Sequence, residues 1–189
     1  MFSCEFLDLV GESIAKNDCK DIEKVVDILF DVRKYGGRLF IIGSGGGAGH
    51  ASHAVCDFRK LCNFEAYAPY DNVSELTART NDEGFDTTIL NWLKVSNFNQ
   101  KDCIFVFSVG GGKDGVSENI TKALRYARGK DARIVGVVGR DGGTTKELAD
   151  ACILIECIEH VTPITEGLQS VIWHLIVSHP KLQINPTKW

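Results

Sequence analysis

The sequence predicts an α/β protein built on a parallel sheet with helices on both faces. Five short β-rich runs, "RLFIIG", "FEAYA", "CIFVFS", "RIVGVV" and "CILIE", are spaced along the chain with helix-like segments between them. Strands alternating with helices mean βαβ units. Most of these runs are continuously apolar, as strands covered on both faces are. Glycine-rich segments, "GSGGGAG", "SVGGGKDG" and "GRDGG", follow the first, third and fourth runs. In such sheets ligands bind beyond the carboxyl ends of the strands, so one edge is marked for chemistry.

In "KDIEKVVDILFDVRKYGG", Ile22, Val25, Val26, Leu29 and Val32 recur at helical spacing and Gly36-Gly37 is a stop. The first strand, Arg38–Gly43, runs through the glycine cluster into a helix expected over Ala48–Leu61. Further helices are expected over Val116–Ala127 and from just after Pro163 to before Pro180. With 189 residues, no repeat and no linker, the chain reads as one domain. Residues 1–36 are expected to be helices that pack between copies, and 37–189 the α/β core.

Composition excludes several classes. The chain is 44% hydrophobic and 24% charged with a formal net charge of −4, which gives no reason to expect nucleic acid as a partner. No run approaches the ~18 apolar residues of a membrane span. The opening "MFSCEFLDLV" is acidic where a signal peptide is basic. Seven cysteines without CxxC spacing point to neither a disulfide framework nor a zinc knuckle. Cys103, Cys152 and Cys157 fall in or beside strand-like runs, where a thiol acts as a small hydrophobe. A reducing cytoplasm is the expected compartment.

"GSGGGAG" is neither a P-loop nor a dinucleotide fingerprint. It brings backbone N–H groups and the Ser44 hydroxyl to a helix start, where an anion is favoured; the alternative is a tight turn without a ligand. "FSVGGGKDGVSEN" sets Ser108, three glycines, Lys113 and Ser117 between a strand and a helix. Without aromatic residues, that composition suits a phosphate better than a stacked base. Alternatively, Ser117 is only a helix cap and Lys113 a solvated charge.

His53 and Asp57, four apart on the expected helix, share a face. Glu166 and His174, eight apart on the last helix, lie about 80° apart around its axis. Two imidazoles and two carboxylates can form a metal shell or an acid–base set; each histidine can equally be satisfied by hydrogen bonds alone.

These segments, in this order, resemble the sugar isomerase (SIS) domain family, in its phosphoheptose isomerase branch. "GSGGGAGHASH" with an acid one turn on, "LTARTNDEGF", "FSVGGGKDGVSEN", "VVGRDGGTTKELAD" and "ITEGLQSVIWHLI" each have a counterpart there, from about Arg38 to Ser178. The resemblance implies a five-stranded, three-layer, flavodoxin-like fold and a cytoplasmic homotetramer with shared sites. The implied activity is aldose–ketose isomerisation of a phosphorylated sugar, with sedoheptulose 7-phosphate the expected substrate. A non-catalytic SIS module binding a sugar phosphate or a protein partner is the alternative.

By the same resemblance, Ser44, Gly45, Gly46, Asn81, Asp82, Ser108, Val109, Gly110, Lys113 and Ser117 are expected to bind substrate. His53, Asp57, Glu166 and His174 are expected to hold one Zn²⁺ per subunit, and Asp57, His174 and Glu166 to act in catalysis. The last helix admits two registers. One puts Thr165 and Trp173 at the family's Gln and His, the other Glu166 and His174; the second keeps a polar pair and is preferred. Asp57 stands where the family has Glu. The phosphate loop has Val109 and Gly110 for Thr and Ser, and is longer.

Overall fold

A computed structural model describes residues 1–187. All five β-rich runs form strands: β1 Leu39–Gly43, β2 Ala66–Tyr67, β3 Cys103–Ser108, β4 Arg133–Gly139 and β5 Ala151–Ile155. They make one parallel sheet in the order β2-β1-β3-β4-β5. β2 is shorter than "FEAYA" suggests, because it pairs only with β1 at the sheet edge; a very short edge strand offers little template for another chain.

Among the described residues, eight α-helices surround the sheet: α1 Phe2–Ala15, α2 Cys19–Lys34, α3 Gly46–Cys62, α4 Val73–Glu83, α5 Thr88–Val95, α6 Glu118–Arg128, α7 Gly143–Leu148 and α8 Val161–Val177. Alternate side chains of the strands serve opposite faces. Leu39, Ile41, Phe105, Phe107, Val135 and Val137 pack with apolar residues of α2, α3 and α8. Phe40, Ile42, Ile104, Val106 and Ile134 pack with α5 and α6. The result is the expected three-layer α/β fold.

The start of α8 differs from expectation. α8 starts at Val161, before Pro163; a proline in the first turn costs nothing there, because its missing N–H would have no helical partner. At the other end of the chain, the apolar stripe of α2 is covered by this chain itself, with Val25, Val26 and Leu29 buried against the sheet. Of the two N-terminal helices, α1 is the one that leaves Phe2 and Leu7 exposed. The Asp18 side chain caps α2 by accepting from the Lys20 N–H at 2.8 Å.

In this strand order the chain reverses its direction of travel across the sheet between β1 and β3. Such a switch point opens a crevice at the carboxyl ends of the two strands. Gly43 pairs with Phe107, which makes Ser44 and Ser108 neighbours at the mouth of that crevice.

Candidate active site

A cavity of about 430 Å³ opens at the switch point, lined by Ser44, Ser108, Val109, Gly110, Gly112, Lys113, Val116, Ser117, Arg140 and Asp141. Its polar groups are set to donate. Ser108 Oγ accepts from the Gly111 N–H at 3.0 Å. Asn119, buried at 1% exposure, donates its amide to Ser44 Oγ at 3.1 Å and to Tyr70 Oη at 2.8 Å. Each serine oxygen accepts from within the chain and has its own proton to give. These hydroxyl donors suit an oxyanion.

The cavity walls are braced. The Thr144 N–H donates to Gly112 O at 2.8 Å, and Thr145 donates to Gly111 O through its N–H at 3.0 Å and its hydroxyl at 2.7 Å. These bonds tie the loop after β3 to the start of α7. Ser117 and Arg140 hold φ at 56° and 52°, the left-handed region that costs most residues energy and that clusters at functional sites. Ser117 does not cap α6 with its side chain, because that backbone conformation does not aim the hydroxyl at the helix. The helix begins at Glu118, later than its composition suggests.

The glycines around the start of α3 allow close packing. A Cβ at Gly47 would strike the Phe107 carbonyl, and one at Gly43 would strike the Gly47 backbone, so these residues let α3 approach β1 and β3 closely. Gly45 and Gly46 do not line the cavity. A Cβ built at Gly46 would lie 2.5 Å from the Glu166 carboxyl carbon. The positive end of α3 therefore already faces an anion, the chain's own Glu166, which that end stabilises. On the next turn, burial pushes the His50 imidazole below its ordinary pKa, against the pull of Glu166.

Further along α3, His53 and Asp57 meet His174 of α8, with one donor atom from each residue lying within 4.8 Å of the others. His53 is exposed, Asp57 buried at 7% exposure, and His174 half-buried. His174 Nδ1 lies 2.7 Å from the Ser170 carbonyl; an acceptor there places the proton on Nδ1 and leaves the Nε2 lone pair free. Glu166 is not gathered with these three, so the expected four-residue shell is a trio. Its carboxylate goes instead to the start of α3. Thr165 and Trp173, the alternative register, are fully buried, and Trp173 meets the His53 ring edge-on at 4.8 Å between centroids. Two imidazoles and one carboxylate match the donor chemistry of a catalytic zinc site.

A model of the SIS domain matches residues 5–139. The chain belongs to the SIS domain family. The lincomycin biosynthesis protein LmbN of Streptomyces lincolnensis is 36% identical over 167 residues, a match covering 80% of this chain and 59% of that protein. A phosphoheptose isomerase of Helicobacter hepaticus is 32% identical over 160 residues, covering 82% of this chain and 78% of the relative. Among solved structures, phosphoheptose isomerase GmhA from Neisseria gonorrhoeae superposes with a TM-score of 0.79 at 21% identity, over 93% of this chain and 92% of that one. A phosphoheptose isomerase from Francisella tularensis gives 0.79 at 18%. Likeness at that identity establishes the fold.

Within this SIS domain, Ser44, Ser108, Val109, Gly110, Lys113 and Ser117 meet at one cavity, as the motifs imply. Asn81 and Asp82 do not border it. They sit exposed on the last turn of α4, with the Asn81 amide donating to Asp82 at 2.7 Å. Arg140, Asp141, Asn119 and Tyr70 were not among the expected site residues. "GRDGG" at a strand end was a usable signal for the first two. Tyr70 and the inward turn of Asn119 had none, since both depend on how α6 packs over the loop after β2.

Proposed function

We propose that this SIS domain is an aldose–ketose isomerase that converts sedoheptulose 7-phosphate to D-glycero-D-manno-heptose 7-phosphate. The observation that carries this reading is the pairing of two features on α3 and its neighbours. A donor-lined anion cavity lies at the sheet edge, and an acid–base trio begins seven residues beyond Gly46, about 10 Å along the helix at 1.5 Å per residue. A chain-like sugar phosphate has the same layout, with its phosphate at one end and its reacting carbons at the other. Relatives named phosphoheptose isomerase at 32% identity support the same substrate class.

The reaction takes a proton from C1 of the ketose and returns one to C2 through an enediol, while the hydroxyl proton passes between O1 and O2. Nothing is oxidised or reduced overall. It needs a base at carbon and a proton carrier at oxygen. Asp57 is the carboxylate poised as base, and no hydrogen bond from the described residues occupies it. His174 Nε2, free while Nδ1 is anchored on Ser170, carries protons between the oxygens.

His53, Asp57 and His174 would hold Zn²⁺, which when bound supplies Lewis acidity toward the sugar oxygens. Asp57 cannot be a tight ligand and a free base at once. In the metal-loaded protein Glu166, outside the trio, is the carboxylate left to move the proton at carbon.

The assembly is read as a homotetramer with sites completed by neighbouring subunits. Phe2 and Leu7 on α1, and Val171 and Leu175 on α8, which packs against it, are the exposed apolar residues that support contacts between copies. Among the described residues no helix is long and apolar enough to cross a membrane. All seven cysteines are unpaired, in keeping with the cytoplasmic location proposed for the protein.

Incubation of the purified protein with sedoheptulose 7-phosphate, with and without Zn²⁺, tests the reading by the appearance of aldose. Thermal stabilisation by sugar phosphates with no turnover would favour a binding module instead.

A further inference from the structure

We infer that Arg140 binds the phosphate and, together with Lys113, makes this site select a dianionic phosphate ester. The inference rests on reading the switch-point cavity as the phosphate end of a sugar-phosphate site.

Of the eight arginines in the chain, seven are engaged. Arg38 pairs with Asp102, Arg79 with Glu75 and Glu83, Arg125 with Asp114, and Arg128 and Arg133 with Asp150. Arg33 and Arg59 donate to main-chain carbonyls. Arg140 has no hydrogen-bond or ion-pair partner among the described residues, and it lines the cavity.

Its position is held with care. The Gly139 N–H donates to Val109 O at 3.0 Å, and the Gly142 N–H to Gly139 O at 3.0 Å, so the turn bearing Arg140 is fastened to the loop bearing Lys113. Arg140 sits at φ 52° although glycines follow it at Gly142 and Gly143. A strained arginine in a turn that glycine would fill without cost is explained by a task for its side chain.

Lys113 is likewise unpaired among the described residues. The acids nearest it in sequence are engaged, Asp114 with Arg125 and Glu118 with the Gly115 N–H and Lys122. Asp141, the one acid lining the cavity, accepts from the Gly143 N–H at 3.3 Å. The lining thus carries two cations against one anion, beside three serine hydroxyls. A phosphate ester holds about −1.5 to −2 charges near neutral pH, and the planar guanidinium fork matches it in a bidentate fashion.

The test is calorimetric titration of the full-length protein with inorganic phosphate, comparing wild type, Arg140→Gly, Arg140→Lys and Lys113→Ala. Glycine suits the backbone at this position, so the Gly variant is expected to stay folded with an unchanged or higher melting temperature. Its phosphate affinity should fall by about tenfold or more, the scale of a hydrogen bond to a charged group, and lysine should restore part of the loss. Wild-type affinity should also weaken as pH drops through the range in which inorganic phosphate passes from dianion to monoanion, and this dependence should flatten in Arg140→Gly. A Gly variant that binds phosphate as tightly as wild type overturns the inference. If phosphate binding depends on Arg140 but no sugar phosphate is isomerised, the isomerase reading fails and the role of Arg140 stands. If sedoheptulose 7-phosphate is isomerised with the same KM by Arg140→Gly, only the role of Arg140 fails.

Discussion

Replacing Gly46 by alanine separates the position of Glu166 from its presence. The new Cβ would lie 2.5 Å from both the carboxyl carbon and Oε1 of Glu166, and 2.6 Å from Oε2. Ordinary contact begins near 3.5 Å, so the carboxylate must retreat by about 1 Å. The glutamate side chain can swing, so the backbone need not move. Leaving the positive end of α3 costs about 0.3–1 kcal/mol, and alanine in place of glycine in a helix returns up to about 1 kcal/mol. Net stability should change by less than about 1 kcal/mol, which for a chain of this size is a melting shift of about 2–4 °C or less. Chemistry is less forgiving, because a misplacement of 1 Å can cost about a hundredfold in rate. The expected outcome is therefore an unchanged melting temperature by calorimetry with kcat reduced about a hundredfold, close to the effect of Glu166→Gln. Gly47→Ala is the contrast: its Cβ meets the immovable Phe107 carbonyl, and the loss should appear as poor folding. Full turnover in Gly46→Ala would refute the idea that the carboxylate at the start of α3 takes part in the reaction.

Asn119→Ala should cost about 2 kcal/mol in urea denaturation, from two lost hydrogen bonds of about 1 kcal/mol each, and should weaken phosphate binding by releasing Ser44. Asp102→Ala should cost about 3 kcal/mol, because this carboxylate is buried and accepts from Arg38 and Asn99 at the far end of the sheet; a change under 1 kcal/mol would contradict that. Burial works to raise the Asp150 carboxyl pKa, but the Ile134 N–H with Arg128 and Arg133 outweighs it and holds the pKa below the ordinary value. Its stabilising contribution is therefore complete above the usual aspartate range and is lost as pH falls through the depressed value. Asp150→Asn should be less stable at neutral pH and less sensitive to acid, as measured by denaturation midpoints across pH.

Fold and site were legible to different depths. Continuous apolar runs such as "CIFVFS" could only be strands covered on both faces, and the three glycine-rich strand ends marked the working edge. Ser108, Lys113 and Ser117 stand out together because they are close in sequence, and they border one cavity. Glu166 was not. Its eight-residue spacing from His174 is compatible with a shared shell, yet the choice between that shell and the start of α3 depends on how α8 crosses α3. Arg140 was hidden for a similar reason: a loop arginine in sequence looks solvated until the partners of every other arginine are known. The helical spacing of Ile22, Val25, Val26, Leu29 and Val32 marks an apolar stripe on α2, while what covers it depends on the tertiary path of the chain.

As an isomerase, this SIS domain would move a proton between adjacent carbons of a sugar phosphate. Sedoheptulose 7-phosphate incubated with the protein in D₂O, followed by proton NMR of the product, tests it most directly. The expected product is a heptose 7-phosphate carrying solvent deuterium at C2, formed by the wild type and lost in His174→Ala. Unaltered ketose in the presence of the folded, Zn²⁺-supplied wild-type protein would contradict it.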